Sequence, residues 1–177
     1  MTTLVETRDR DLVVDLRREF HRHPELAFEE FETAKRVAAV LGEAGLEVRA
    51  GLAGTGVLGV LRGANPGQTM LIRADMDALP IQEADGRSYG SVVPGKMHAC
   101  GHDAHTAMAA TAARVLARRR AELAGNVVFA FQPAEETTGG ADLMIRQGAL
   151  ADPPVDAVIG LHLANTLRVG QIAAQAG

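Results

Sequence analysis

Val127-Val128-Phe129-Ala130-Phe131-Gln132-Pro133-Ala134-Glu135-Glu136 is an apolar run that ends in two carboxylates. Five consecutive apolar residues of this kind read as a strand at the centre of a sheet, buried on both faces. Leu71-Ile72-Arg73-Ala74-Asp75-Met76-Asp77-Ala78-Leu79-Pro80 follows the same plan, with apolar residues first and carboxylates last. Ala157-Val158-Ile159-Gly160-Leu161 reads as another buried strand and delivers His162 at its end. Polar groups at the carboxyl ends of apolar strands are how an α/β fold presents its chemistry. The expected fold class is therefore α/β, a central mixed sheet flanked by helices with the site at strand ends.

The segments on either side fit that plan. Leu12, Val13, Leu16 and Phe20 share one helical face, and Pro24 stops the helix. A second helix is expected with Phe31, Ala34, Ala38 and Leu41 inward, ending near Gly42 to Gly45, before Leu46-Glu47-Val48-Arg49 alternates as a strand. Gly54-Thr55-Gly56-Val57-Leu58-Gly59 has the letter pattern of a dinucleotide-binding turn, which needs a helix directly after it. Here Val60-Leu61-Arg62-Gly63 continues extended, and Asn65-Pro66-Gly67 turns the chain into a strand from Thr69 to Ala74. Two strands joined by a turn account for the segment, and the nucleotide reading fails. Asp85 to Pro94 reads as a polar loop. The helix after it should bury Met108, Ala112, Val115 and Leu116, with Asp103 as its N-cap. Arg118-Arg119-Arg120 suits the last turn of that helix, where cations complement the carbonyl end. Thr137-Thr138-Gly139-Gly140 leads to a short helix carrying Leu143, Met144 and Ile145, and Pro153-Pro154 marks a loop.

The densest chemistry lies in Lys96-Met97-His98-Ala99-Cys100-Gly101-His102-Asp103-Ala104-His105, which holds three of the six histidines and the only cysteine. Imidazole, thiolate and carboxylate together suit a borderline divalent ion such as zinc, or cobalt, nickel or manganese as oxygen ligands join. Cys100 and His102 are two apart, so on an extended segment both face one ion. A thiol nucleophile at Cys100 with His102 or His105 as base uses the same residues differently, but it leaves the pair Glu135-Glu136 without a role.

With Phe20-His21-Arg22-His23-Pro24-Glu25-Leu26, Gln132 to Glu136 and Gly160-Leu161-His162, these motifs resemble the M20 family of metallopeptidases and amidohydrolases. The resemblance points to the branch of hippurate hydrolases, N-acyl-amino-acid deacylases and hydrolases of indole-acetyl-amino acid conjugates. It implies a zinc-exopeptidase-like catalytic domain and a metal-dependent amidohydrolase that cleaves N-acyl amino acids. It also implies Cys100, His102, Glu136 and His162 as ligands of one or two divalent ions (Zn, Mn, Co or Ni). Glu135 corresponds to the general base that takes a proton from the attacking water, and Asp77 to a second catalytic residue that orients a ligand. Adjacent residues at a strand end point to opposite sides, so Glu135 and Glu136 need not face one ion together. Relatives with peptidase activity carry His-x-Asp where this chain has Asp75-Met76-Asp77, so Asp75 is left out of the ligand set. His21, His23, His98 and His105 are expected in structural or supporting roles. Family members are longer, so residues 1–177 are expected to be the N-terminal part of the catalytic domain. The lid, through which the full-length form would make a homo-oligomer, and a return segment with a further histidine would lie outside. A truncated, non-catalytic relative with a weak metal site is the alternative.

Composition narrows the function classes. With 47% hydrophobic and 23% charged residues the chain is globular rather than disordered. A formal net charge of −4 and no basic stripe give no basis for binding nucleic acid. One cysteine makes no internal disulfide, Met1 to Arg10 lacks the apolar core of a signal peptide, and no stretch suffices to span a membrane. The expected location is the cytoplasm, with a small-molecule substrate.

Overall fold

A computed structural model describes residues 4–137 and 139–174. The first three residues of the leader reading, Thr138, and the last three residues of the chain lie outside the described residues. Five strands form one mixed sheet: β1 (Glu47–Leu52), β2 (Gly56–Arg62), β3 (Asn65–Asp75), β4 (Ala124–Gln132) and β5 (Ala157–Gly160). Their order is β1-β2-β4-β3-β5. β1 and β2 are antiparallel, as are β2 and β4, whereas β3 runs parallel to both β4 and β5. Helices α1 (Thr7–Arg22), α2 (Phe31–Glu43) and α3 (His102–Ala117) precede or interrupt the strands, and the short α4 (Gly140–Arg146) follows β4. The α/β class and the central mixed sheet are as the sequence predicts.

Alternation along the strands divides the core in two. Val57 and Leu61 of β2 and Phe129 and Phe131 of β4 pack with Leu16, Phe20, Val37, Leu41, Ala107, Ala110 and Ala113, under α1, α2 and α3. Leu58, Val60, Val128 and Ala130 face the other way, with Leu71 and with Met144 of α4. Burying a side chain such as Phe129, fully inaccessible at 0% exposure, contributes roughly 1.5–3 kcal/mol.

The two strands expected between Gly54 and Ala74 are present as β2 and β3, joined by a short turn, with β4 lying between them in the sheet. Several other expectations need correction. Phe31 is 62% exposed, and α2 instead turns Thr33, Ala34, Val37, Val40 and Leu41 inward. Met108, Ala112, Val115 and Leu116 are half-buried on α3. The helix presents its small residues Ala107, Ala110 and Ala113 to the core, which lets it approach α1 and the sheet closely. Asp103 is not the N-cap, a position held by Gly101; its carboxylate is fully buried against α1. Arg118 lies just past the end of α3, where it forks onto Asp9 at 2.9 and 2.5 Å. Arg120 opens a separate short 3-10 turn. β5 is no buried strand: Val158 is 61% and Ile159 47% exposed, because among the described residues it pairs only with β3.

Candidate metal centre

Because β4, β3 and β5 are parallel neighbours, their carboxyl ends deliver side chains to one place. β3 brings Arg73 and Asp75, with Asp77 just beyond it; β4 leads into Glu135 and Glu136, and β5 into His162. The start of α3 adds Cys100 and His102, separated by Gly101 at φ 90°. A side chain at Gly101 would be strained by that φ and would place its Cβ 3.0 Å from Leu163 Cδ1.

His102 is the centre of the arrangement. Its ring is fully buried, and Nδ1–H donates to the backbone carbonyl of Asp77 at 2.9 Å, with Asp77 Oδ1 at 3.2 Å. That fixes the tautomer and leaves Nε2 buried with no hydrogen-bond partner among the described residues. Such an orphaned nitrogen calls for a reason. Facing it are Asp75 Oδ2 at 3.6 Å, Glu136 Oε1 at 3.7 Å and Glu135 Oε2 at 3.9 Å. Donor atoms of Cys100, His102 and His162 lie within 4.8 Å of one another, as do those of His102, Glu135 and Glu136. Sulfur, a second imidazole nitrogen and carboxylate oxygen around an orphaned imidazole nitrogen fit a borderline divalent cation.

Glu135 and Glu136 do not diverge as strand neighbours would. β4 ends at Gln132, and Ala134, at φ 50°, turns the chain so that both carboxylates approach His102. A non-glycine residue held there costs roughly 1–3 kcal/mol, so the surroundings must hold it. Asp77 bridges two parts of the site: besides its contact with His102, Oδ2 accepts the Glu136 backbone N–H at 3.0 Å.

Cys100 Sγ lies 3.4 Å from His162 Nε2, while His162 Nδ1–H donates to the Leu163 carbonyl at 2.7 Å. Burial first, and then Glu136, push the Cys100 thiol up to about 11. A reactive thiol nucleophile needs the opposite environment, and the thiol-nucleophile reading loses its support.

Asp75 is close to the cluster, but both of its oxygens are committed. Oδ1 lies 2.6 Å from His105 Nδ1, and Oδ2 accepts from Arg73 at 2.6 Å. His105 Nε2 accepts the backbone N–H of Leu163 at 3.0 Å, so the proton on Nδ1 belongs to the bond with Asp75. His105 thereby ties Asp75 to the residue next to His162. Behind the site, His21 bonds Asp103 and Glu83, and His98 sits buried with both ring nitrogens unpartnered among the described residues. His23 lies apart from these groups, lining a groove of about 660 Å³ with Pro24, Glu25 and Lys96.

Sequence reasoning missed Glu30, which is 0% exposed and bonded to Thr55 and to the backbone of Ala134. It stands among Glu25, Glu29 and Glu32, and nothing in the letters separates it from solvated acids.

Known proteins share this arrangement of chain. The protein is 45% identical over 167 residues to IAA-amino acid hydrolase ILR1-like 5 of Arabidopsis thaliana, covering 94% of this chain and 38% of that one. It is 44% identical over 166 residues to N-acetylcysteine deacetylase of Bacillus subtilis, covering 93% of this chain and 43% of the other. The crystal structure of the Bacillus subtilis YXEP protein, described as a dinuclear metal binding peptidase from the M20 family, superposes with a TM-score of 0.92. That match has 42% identity and covers 98% of this chain and 48% of that one. The chain thus spans less than half the length of each of these relatives. Residues 71–177, which carry the carboxyl end of β3, the Cys100–His102 turn, Glu135, Glu136 and His162, match Peptidase family M20/M25/M40, and the chain belongs to that family.

Proposed function

We propose that the protein carrying this chain is a metal-dependent amidohydrolase that cleaves the amide bond of N-acyl amino acids, hippurate-like compounds among them. The observation that carries the reading is the orphaned, buried Nε2 of His102, ringed by donor atoms of Cys100, His162, Glu135 and Glu136. The relatives named a hydrolase of amino acid conjugates and a deacetylase of N-acetylcysteine support the substrate class. Residues 1–177 would be the N-terminal part of a longer catalytic domain, consistent with covering 38% to 48% of these relatives. A lid and a return segment outside it would complete the pocket and mediate homo-oligomerisation. No helix among the described residues is long and apolar enough to cross a membrane; we place the protein in the cytoplasm.

Cys100, His102, Glu136 and His162 would hold the divalent ion or ions, of which zinc, manganese, cobalt and nickel suit this donor set. Such an ion, when bound, acidifies water and polarises the scissile carbonyl. Glu135 accepts the proton of the attacking water on a carboxylate oxygen and passes it to the leaving nitrogen, releasing a carboxylate and an amino acid. Asp77 receives the His102 Nδ1–H and the Glu136 N–H, fixing the tautomer that turns Nε2 toward the donor cluster and holding the Glu136 backbone in place. The test is chelation of the protein carrying this chain, followed by repletion with each divalent ion and assay against a panel of N-acyl amino acids. Activity should vanish and return. Undiminished turnover in demonstrably metal-free protein would reject the reading.

A further inference from the structure

Glu30 stands at the N-cap position of α2, yet its side chain makes no capping bond. Glu25 does that work instead, accepting the backbone N–H groups of Glu32 at 3.1 Å and Thr33 at 2.8 Å. The Glu30 carboxylate turns into the protein, where it is fully buried. Oε2 receives the Thr55 hydroxyl at 2.5 Å, and Oε1 receives the backbone N–H of Ala134 at 2.9 Å, 104 residues away. Ala134 is the buried, left-handed residue that bends the chain after β4. Directly after it come Glu135 and Glu136. A buried carboxylate that has no ion-pair partner among the described residues is an expensive way to fill a core position. Its two hydrogen bonds explain its presence, and one of them restrains the turn that places the acids.

We propose that Glu30 is a positioning residue: by holding the Ala134 N–H it fixes the left-handed turn that directs Glu135 and Glu136 at His102. This rests on the amidohydrolase reading only for its effect on rate, since the hydrogen bond itself belongs to the folded chain. The dependence on position is steep, because a displacement of about 1 Å in a reacting group costs about 100-fold in rate.

The experiment compares Glu30→Met, which keeps the volume and removes both acceptors, with Glu30→Gln, whose amide oxygen still receives the Ala134 N–H. Amide hydrogen exchange across residues 132–137 is measured on metal-free protein, and kcat and KM on the metal-replete protein carrying this chain. Glu30→Met should accelerate exchange there by at least about tenfold, lower kcat by about 100-fold, and change KM little. Glu30→Gln should restore both. Should Glu30→Met fail to accumulate, Glu30→Asp is used, since its shorter carboxylate no longer reaches Ala134. Unprotected exchange at Ala134 in the unsubstituted protein, or unchanged exchange and kcat in Glu30→Met, would overturn the assignment. If the unsubstituted protein hydrolyses no N-acyl amino acid, the functional reading fails, while the exchange measurement still decides the role of Glu30.

Discussion

His21 Nδ1 lies 2.6 Å from Asp103 Oδ2, joining α1 to α3 across 82 residues of sequence. The same carboxylate oxygen is 2.9 Å from Arg17 Nε, and the other ring nitrogen of His21 is 3.0 Å from Glu83 Oε1. Asp103 follows His102 directly, so this network anchors the first turn of α3 that carries a central residue of the site.

The network predicts a pH dependence of stability. The hydrogen bond to Asp103 raises the pKa of His21; burial opposes it, and Glu83 adds to it. A histidine raised in this way stabilises the folded state fully below its unfolded value of about 6.5, and the stabilisation is lost as pH rises through the folded value. Metal-free protein should therefore exceed His21→Gln in stability by about 3–5 kcal/mol at low pH, and the gap should narrow as pH rises. Urea midpoints of both proteins from about pH 6 to about pH 9 measure it. Parallel curves would mean that His21 titrates alike in the folded and unfolded chains.

Gly101→Ala gives a second prediction. The methyl group would meet Leu163 Cδ1 at 3.0 Å, and φ 90° disfavours any side chain. Both Cys100 and His102 hang on this turn. Thermal stability should fall by about 1 kcal/mol or more, and metal retention after dialysis should fall with it. A variant that keeps its full metal content would show that the turn has slack.

Much of this arrangement is legible in the letters. Val127–Phe131 announces a central strand because its residues are apolar on both faces, and β4 does stand third of five. Cys100 and His102 stand out because donor chemistry is dense from Lys96 to His105, whereas Glu136 and His162 join the expected ligand set through the family resemblance. What escapes is whatever depends on distant packing. Local periodicity gives α3 an apolar stripe of large residues, whereas its contact with α1 and the sheet selects Ala107, Ala110 and Ala113. Asp103 looks like a cap because it opens a helix, and only the fold brings His21 and Arg17 to it. The meeting of Glu30 with Ala134 has no local trace either, since 104 residues separate them.

Glu135 and Glu136 reach His102 Nε2 at similar distances, 3.9 and 3.7 Å, so substitution must separate their roles. Glu136→Ala should reduce bound metal, because it removes a donor. Glu135→Gln should keep metal near the unsubstituted level while turnover falls by about 100-fold or more, since an amide cannot take the water's proton. Elemental analysis and turnover on the same samples are the measurements. Retained turnover in Glu135→Gln, or metal loss equal to that of Glu136→Ala, would exchange or erase the assignments.

The remaining prediction concerns His105, which supplies no free donor atom. Its Nδ1–H is held by Asp75 at 2.6 Å, and its Nε2 receives the Leu163 N–H at 3.0 Å. Leu163 also accepts the Nδ1–H of His162 through its carbonyl, at 2.7 Å. His105 therefore steadies the peptide that sets the ring of His162, whose Nε2 faces Cys100. His162 and Leu163 lie just past β5, which is itself exposed on the edge of the sheet, so little other packing would do so. His105→Phe keeps a ring in the buried space and removes the acceptor, so Leu163 is left unpaired and His162 loses its fixed orientation. Metal affinity should fall by about 10–100-fold, the usual consequence of losing a group that orients a ligand. His105→Gln, whose amide oxygen offers an acceptor to the Leu163 N–H, should recover part of it. Competition against a chromophoric chelator gives the affinities without reference to turnover. Equal affinities in the unsubstituted protein and His105→Phe would mean that His162 is oriented by the ion alone.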